Sequence, residues 1–434
     1  MNTRNACFYS LTLWLIAFCS VSAWAEPAPQ PKNPAEFKSR LTTVWGEKVT
    51  PRNVHPEYPR PQMKRERWQN LNGLWEYAIR ADGAPQPMSF DGRILVPFPV
   101  ESALSSVQKR VGKDHRLWYR RKFELPEQWG DDRILLHFGA VDWDTTVWCN
   151  GRRLGRHRGG YDAFTFDISD ALERDVDEQE LIVSVWDPTE DGTQPRGKQR
   201  KRSGGIWYTP VTGIWQTVWL EPVPKSHVES LHIVPDVDRK TLTVTVSRRG
   251  VAAPNIRITV PGLKASATGP SGQPLQLVLE DFELWSPAHP KLYDFSVELL
   301  DGDRTIDRVE TYFAMRKIEV GRDSNGIPRI LFNGQPLFQC GPSDQGWWPD
   351  GLYTAPSDEA LVYDLKVTKQ LGFNMVQKQV KVEPQRWHWH CDRLGLLVWQ
   401  DMPNGDAHTS WPRGRAMATK SNARQHRSPI FPAS

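Results

Sequence analysis

Between residues 337 and 403 the chain alternates short apolar runs with two longer stretches that carry helix start and stop signals. That alternation calls for a parallel sheet. Strands are predicted at 337–340, 373–376 and 396–399. Between the first two, Ser357 is placed to cap a helix whose first turn holds Asp358 and Glu359, and Leu371-Gly372 is placed to end it. A second helix is expected to start at Pro384 and to stop at Leu394-Gly395. Strand, helix, strand, helix, strand at this spacing is a repeated βαβ unit, and each crossover returns the chain to the same end of the sheet. Spacing alone fits a doubly wound sheet as well as a barrel.

The residues upstream have a different texture. From about Arg67 to Glu221 they are all-β in pattern and rich in aromatics, with strand-like runs at 68–77, 94–99, 117–123, 133–138, 146–149, 181–186 and 214–220. Turn signals fall at Asn72-Gly73 and Asn150-Gly151. Many short strands with regular turns argue a sandwich or a jelly roll. From Val223 to Ile318 a second β stretch follows, with alternation at 242–246, 256–260, 275–279 and 293–299, a length that suits one immunoglobulin-like sandwich.

Several local motifs occur in this order: Phe98-Pro99-Val100-Glu101-Ser102, Val147-Trp148-Cys149-Asn150-Gly151, Gly155-Arg156-His157, Gly159-Gly160-Tyr161, Gly213-Ile214-Trp215, Leu331-Phe332-Asn333-Gly334, Leu371-Gly372-Phe373-Asn374 and Cys391-Asp392. Together they resemble glycoside hydrolase family 2, the β-galactosidase and β-glucuronidase family, over roughly Arg67 to Pro403. The resemblance implies a multidomain, mainly β chain: a jelly-roll sugar-binding domain at 61–222, an immunoglobulin-like β-sandwich at 223–318, and an incomplete (β/α)8 barrel at 319–403. It further implies a retaining glycosidase acting on the O-glycosidic bonds of a carbohydrate substrate, with no cofactor.

Retaining hydrolysis needs two carboxyl groups about 5–5.5 Å apart, one a nucleophile and the other an acid/base. In this family the resemblance assigns both to glutamates on later barrel strands, the acid/base following an asparagine. The sequence contains no Asn-Glu dipeptide. A complete barrel of this class takes about 250 residues, and Glu319 to Ser434 supply fewer than half of that. Beyond Asp406 there are five basic residues, no acid and no hydrophobic period, so the irregular tail at 404–434 is read as out-of-frame or post-stop sequence. The expectation is a C-terminally truncated, inactive glycosidase without a catalytic residue in the chain. The alternative is a secreted carbohydrate-binding protein that performs no chemistry.

Substrate residues are expected at the carboxyl ends of the barrel strands, where loops face the ligand. Asp344, Trp347 and Asp350 follow the first strand and Asp401 ends the third. Asp401 is equally readable as a structural carboxylate, and Asp344 and Asp350 as loop-capping residues. Gln377 and Gln379 stand where the family resemblance implies Arg and His, and they offer hydrogen bonds without a fixed charge or a titrating ring. Five tryptophans in strand patterns, Trp118, Trp148, Trp186, Trp215 and Trp219, are read as core.

Arg4, the apolar stretch 11–18 and Ala23-Trp24-Ala25 form a signal peptide over 1–25, so the chain is expected to be exported to the periplasm or beyond. No integral membrane segment is expected after its removal. Pro27, Pro29, Pro31 and Pro34 open an extended linker assigned to 26–60. A net charge of +4 is too mild for a nucleic-acid partner, and the basic run Arg196 to Arg202 is read as a solvated loop, with a sugar-facing role as the alternative. The remaining cysteines, Cys149, Cys340 and Cys391, are expected as buried thiols, with one pair possible. His388 and His390 on one helix do not converge, so His388-Trp389-His390-Cys391 is not a metal site.

Overall fold

The computed structural model describes residues 42–173, 175–250 and 255–405. The expected signal peptide at 1–25, residues 26–41 of the expected linker and nearly all of the tail lie outside the described residues. The chain is mainly β, as expected.

The first unit is a two-sheet sandwich. A six-stranded antiparallel sheet runs in the order Gly92–Val96, Gly73–Ala81, His115–Glu124, Glu178–Trp186, Asp144–Cys149, Arg152–Arg158. It faces a four-stranded sheet of Gln69–Asn70, Val218–Val223, Arg133–Phe138 and Phe164–Asp167. Alternation along each strand sends Trp75, Leu117, Tyr119, Leu136, Phe138, Val147, Val183 and Leu220 into one core. Each such side chain contributes about 1.5–3 kcal/mol over leaving it exposed. Trp118 and Trp148, out of phase with these, stack on the outer face of the large sheet. Trp148 and Trp186 are therefore only half-buried, unlike Trp215 and Trp219.

The two turn signals have different fates. Asn150 and Gly151, at φ 47° and 73°, join two neighbouring strands as a hairpin. Asn72-Gly73 makes no hairpin. There the chain crosses from the small sheet to the large one, and Asn72 serves the corner by accepting from the Val218 amide at 3.1 Å and donating to Thr217 at 3.2 Å. The run 214–220 likewise splits, with Gly213–Ile214 pairing to Val141–Asp142 and Val218–Val223 joining the small sheet.

The second unit packs a three-stranded sheet (His227–Asp236, Thr241–Arg249, Leu275–Val278) on a four-stranded one (Ala265–Pro270, Asn255–Val260, Tyr293–Asp301, Arg304–Phe313). Its core holds Leu242, Val244, Ile256, Ile258, Val297, Leu299 and Val309.

A small three-stranded sheet, Ile318–Arg322, Pro328–Phe332 and Gln335–Pro336, leads into the third unit. Here three strands, Ser343–Asp344, Met375–Lys378 and Leu397–Gln400, pair in parallel in sequence order. Helix α1 (Asp358–Gln370) and helix α2 (Gln385–Leu394) connect them. Ser357 caps α1 by accepting from the Ala360 amide at 3.2 Å, and Gly395, at φ 71°, ends α2 in the left-handed conformation that glycine adopts without strain.

The first strand is displaced from its predicted place. Residues 337–340 carry no strand, because the Asn374 side chain bridges the Phe338 carbonyl and the Cys340 amide, and Pro342 has no amide to offer. Regular pairing begins only at Ser343. The same Asn374 bridge delays the second strand to Met375. Among the cysteines Cys149 and Cys391 are buried, whereas Cys340 is exposed on this irregular stretch; all three are free.

Residues 42–60, assigned above to an extended linker, pack instead across the other units. The Thr43 amide and hydroxyl both donate to Asp350, at 2.8 and 2.7 Å, and His55 lies 2.8 Å from the Ala355 carbonyl. Polar caps and ion pairs, invisible in proline content, hold this segment.

One feature of the first sandwich makes stability pH-dependent. The Glu101 carboxyl is buried near Asp142 and Asp187, and burial pushes it up to about 8 despite a hydrogen bond from the Thr212 amide. The folded chain thus keeps a proton that the unfolded chain releases, from Glu101's ordinary 4.5 up to about 8. Stability falls as pH rises through that window. We expect Glu101→Gln to remove on the order of 1 kcal/mol of the stability loss between pH 7 and pH 8, measured as the difference in urea unfolding between wild type and variant. Identical pH slopes would refute the assignment.

Candidate functional site

The parallel register sets Asp344 beside Lys378 and Lys378 beside Gln400, so the carboxyl ends of the three strands form one edge. Side chains alternate across it. Lys378 points to the helix side, its ammonium 4.5 Å from the Trp387 ring centre of α2, while Gln377 and Gln379 point to the opposite face.

On the helix side lies a buried charge network. Lys378 Nζ donates to Asp344 at 2.6 Å and to Glu383 Oε1 at 2.8 Å. Lys381 Nζ pairs with the same Glu383 oxygen at 2.8 Å and donates to the carbonyls of Gly346 and Tyr353 at 2.7 and 2.8 Å. Both lysine side chains are 1% exposed. For Lys378, burial works to lower the pKa, and the charges of Glu383 and Asp344 outweigh it and hold it above the usual lysine value. Lys381 shares Glu383 with that first cation, and burial pushes it down to about 8. Asp344 is held below the ordinary carboxylate range, because the Lys378 charge and hydrogen bond overcome the effect of burial. Since Lys381 reaches back to Gly346 and Tyr353, this network fixes the loop that carries Trp347.

On the open face Gln377 Nε2 donates to Asp401 at 3.0 Å, and Gln379 accepts from the Ser343 hydroxyl at 3.3 Å. These two amides and the Asp401 carboxylate sit together, beside the half-exposed Trp399.

The first sandwich comes to the same edge. Tyr208 stacks on Trp347 with ring centres 4.6 Å apart and planes at 17°, and Tyr353 lies against the same indole at 4.4 Å. The Arg196 and Gly197 amides donate to the Asn404 carbonyl at 2.8 and 3.0 Å. A side chain at Gly197 would collide with the Val380 carbonyl, so only glycine permits this approach. The expectation of a solvated loop at 196–202 is therefore corrected: Arg196 and Gln199 are buried, Arg196 donating to the Gln199 carbonyl at 3.1 Å and Gln199 donating to Asp142 at 2.8 Å and accepting from the Val211 amide at 2.6 Å.

The six residues expected at the site thus divide. Gln377, Gln379 and Asp401 gather on the open face, and Trp347 caps the edge within an aromatic cluster. Asp344 is committed to Lys378. Asp350 is fully buried and accepts from Thr43, which gives it the structural role of anchoring the N-terminal segment. Sequence reasoning missed Lys378, Lys381 and Glu383. The signal was present: three charges within the otherwise strand-like run Met375 to Pro384 have to be paired if the run is buried. As for the His388 stretch, His390 lies 3.1 Å from both oxygens of Asp358, which is also the partner of Arg386.

Comparison with known proteins agrees with this architecture. Residues 86–220 match the sugar binding domain of glycosyl hydrolases family 2, and residues 226–316 match a second domain model of the same family. The chain belongs to glycosyl hydrolase family 2. Among curated relatives, a β-galactosidase of Thermoanaerobacter pseudethanolicus is 26% identical over 320 residues, covering 67% of this chain and 40% of the relative. A putative β-glucuronidase of Formosa agariphila is 28% identical over 305 residues, covering 66% and 27%. The chain therefore spans less than half the length of these family 2 relatives. Among solved structures, the β-glucuronidase of Ruminococcus gnavus superposes with a TM-score of 0.64 at 19% identity, over 81% of this chain and 61% of that one. A β-glycosidase from Bacteroides vulgatus gives 0.59 at 21% identity, over 76% and 44%. At such identities these structures show a shared fold.

Removing Lys378 would strand Asp344 in a largely buried site and leave Glu383 with a single cation. We expect Lys378→Met to cost about 3–5 kcal/mol in urea unfolding, whereas Gln379→Ala on the open face stays within about 0.5 kcal/mol of wild type.

Proposed function

We propose that this chain carries the sugar-recognition elements of an exported, retaining β-glycosidase of the β-galactosidase or β-glucuronidase type, which hydrolyses O-glycosidic bonds in carbohydrate metabolism. The first sandwich is read as a jelly roll, the second as immunoglobulin-like, and the parallel unit as the first part of a (β/α)8 barrel. On that reading the edge bearing Gln377, Gln379, Asp401 and Trp347 is part of the substrate mouth. The observation that carries the proposal is the convergence of a sugar-binding-domain loop, through Tyr208, on the strand edge at Trp347. Aromatic faces suit the C–H faces of a sugar, and the two amides and the carboxylate suit its hydroxyls.

Hydrolysis asks for two carboxylates that Asp344 and Asp401 do not supply. Asp344 is locked to a lysine, and Asp401 is engaged by Gln377. With no Asn-Glu dipeptide in the sequence, the residues present favour a second reading as well: sugar binding without turnover.

Titration with methyl β-D-galactoside and methyl β-D-glucuronide, followed by tryptophan fluorescence, tests the site. The expected result is saturable binding of one of them in the micromolar-to-millimolar range, weakened tenfold or more by Trp347→Ala, with no release of p-nitrophenol from the matching p-nitrophenyl glycosides. Absence of binding to either sugar would overturn the proposal, and turnover by this chain would overturn the inactive reading. Export is part of the proposal too. N-terminal sequencing of protein recovered outside the cytoplasm should begin at Glu26, and an intact Met1 terminus would count against it.

A further inference from the structure

A cavity of ≈ 60 Å³ lies between the first sandwich and the loops that open α1 and α2, away from the open face of the strand edge. Its apolar walls include Trp215 and Tyr353. Four of its lining residues, Glu57, Arg60, Glu383 and Gln385, have a side-chain polar atom that is buried and has no protein hydrogen-bond partner: Glu57 Oε2, Arg60 Nε, Glu383 Oε2 and Gln385 Oε1. The Glu383 side chain is only 3% exposed, and its other oxygen is already taken by the two lysines. Buried polar atoms without partners are costly and uncommon in native proteins, so four on residues that line one cavity call for an occupant that can meet them.

The chemistry of that occupant follows from the set. Three of the atoms accept hydrogen bonds and one donates. Two of the acceptors are carboxylate oxygens, which repel an anion, and the neighbouring cations Arg60 and Arg386 are already paired with Glu221 and Asp358. A buried water needs about 10–15 Å³ of such space, so this cavity takes roughly four to six non-hydrogen atoms. A three-carbon triol has six, with three hydroxyls to donate, oxygen lone pairs to accept, and a carbon skeleton for the aromatic walls. We propose that this interface cavity is a binding site for a small neutral polyol of the glycerol type.

The cavity shares Glu383 and Tyr353 with the helix side of the strand edge but not Gln377, Gln379, Asp401 or Trp347, so its test is read independently of sugar binding at the open face. Isothermal titration of glycerol into the full chain, in glycerol-free buffer, should show saturable binding to one site. Glu57→Ala, at a partly exposed position, should weaken it at least tenfold by removing a charge-assisted hydrogen bond. Gln385→Ala is the second variant, expected to weaken binding by a smaller factor. A non-saturating response equal in wild type and both variants is a general co-solvent effect and overturns the proposal. A crystal structure grown with glycerol that shows ordered waters alone in the cavity overturns it equally.

Discussion

Glu221 has no exposed surface, and the arrangement of the first two units depends on how its charge is met. The Arg60 guanidinium lies 2.9 Å away and that of Arg65 3.5 Å, Trp219 donates at 3.0 Å, His137 stands at 3.3 Å, and the Tyr58 hydroxyl donates to it as well. Burial alone would raise this carboxyl. Arg60 first, then His137 and Arg65, hold it well below the usual range. Arg65 continues the chain of charges to Asp307, which also accepts from the Val228 amide at 2.7 Å. One buried carboxylate in the first sandwich and another in the second are thereby joined through a short segment, residues 58–65, that belongs to neither. A buried ion pair contributes little net stability against an apolar substitute, yet it is costly to break, so it specifies one arrangement over others.

The same segment reaches the parallel unit. Gln62 donates to the Gln385 carbonyl at 2.8 Å and Arg386 to the Tyr58 carbonyl at 2.9 Å. With Thr43 on Asp350 upstream, residues 42–65 run as a strap along all three units. This explains why the strand edge and the Tyr208 loop meet in one geometry although they lie about 140 residues apart in sequence. The loop and the edge are each anchored to elements that the strap holds together.

Much of this was legible in the residues. Period-two runs gave the strands of both sandwiches, because burial on one face imposes alternation, and Ser357, Pro384 and Gly395 marked helix ends because backbone groups there need defined partners or a left-handed residue. What escaped was anything decided by side chains far apart in sequence. Asn374 reads as part of the strand at 373–376, and only its bridge to Phe338 and Cys340 shows why the first strand starts late. Asp350 reads as a loop carboxylate beside two tryptophans, and only Thr43, 307 residues away, makes it an anchor. Lys378 and Lys381 lie in a strand pattern that gives no register for charge, so their shared partner Glu383 appears only once the turn at Val380 is formed.

The charge network also decides what the open face presents. Because strand alternation turns Lys378 toward α2, the second strand offers the open face two neutral amides and no cation. Gln377 is itself bound to one oxygen of Asp401 through its amide nitrogen, which leaves its own carbonyl uncommitted by that bond. Such a surface matches hydroxyl groups, which donate and accept, and it provides no charge to hold a carboxylate on a sugar. On the sandwich loop that reaches this edge through Tyr208, Arg200 pairs with Glu190 and Lys201 with Asp191. None of the three parallel strands turns a cation toward the open face, because Lys378, the one basic residue among them, is held on the helix side by Asp344 and Glu383.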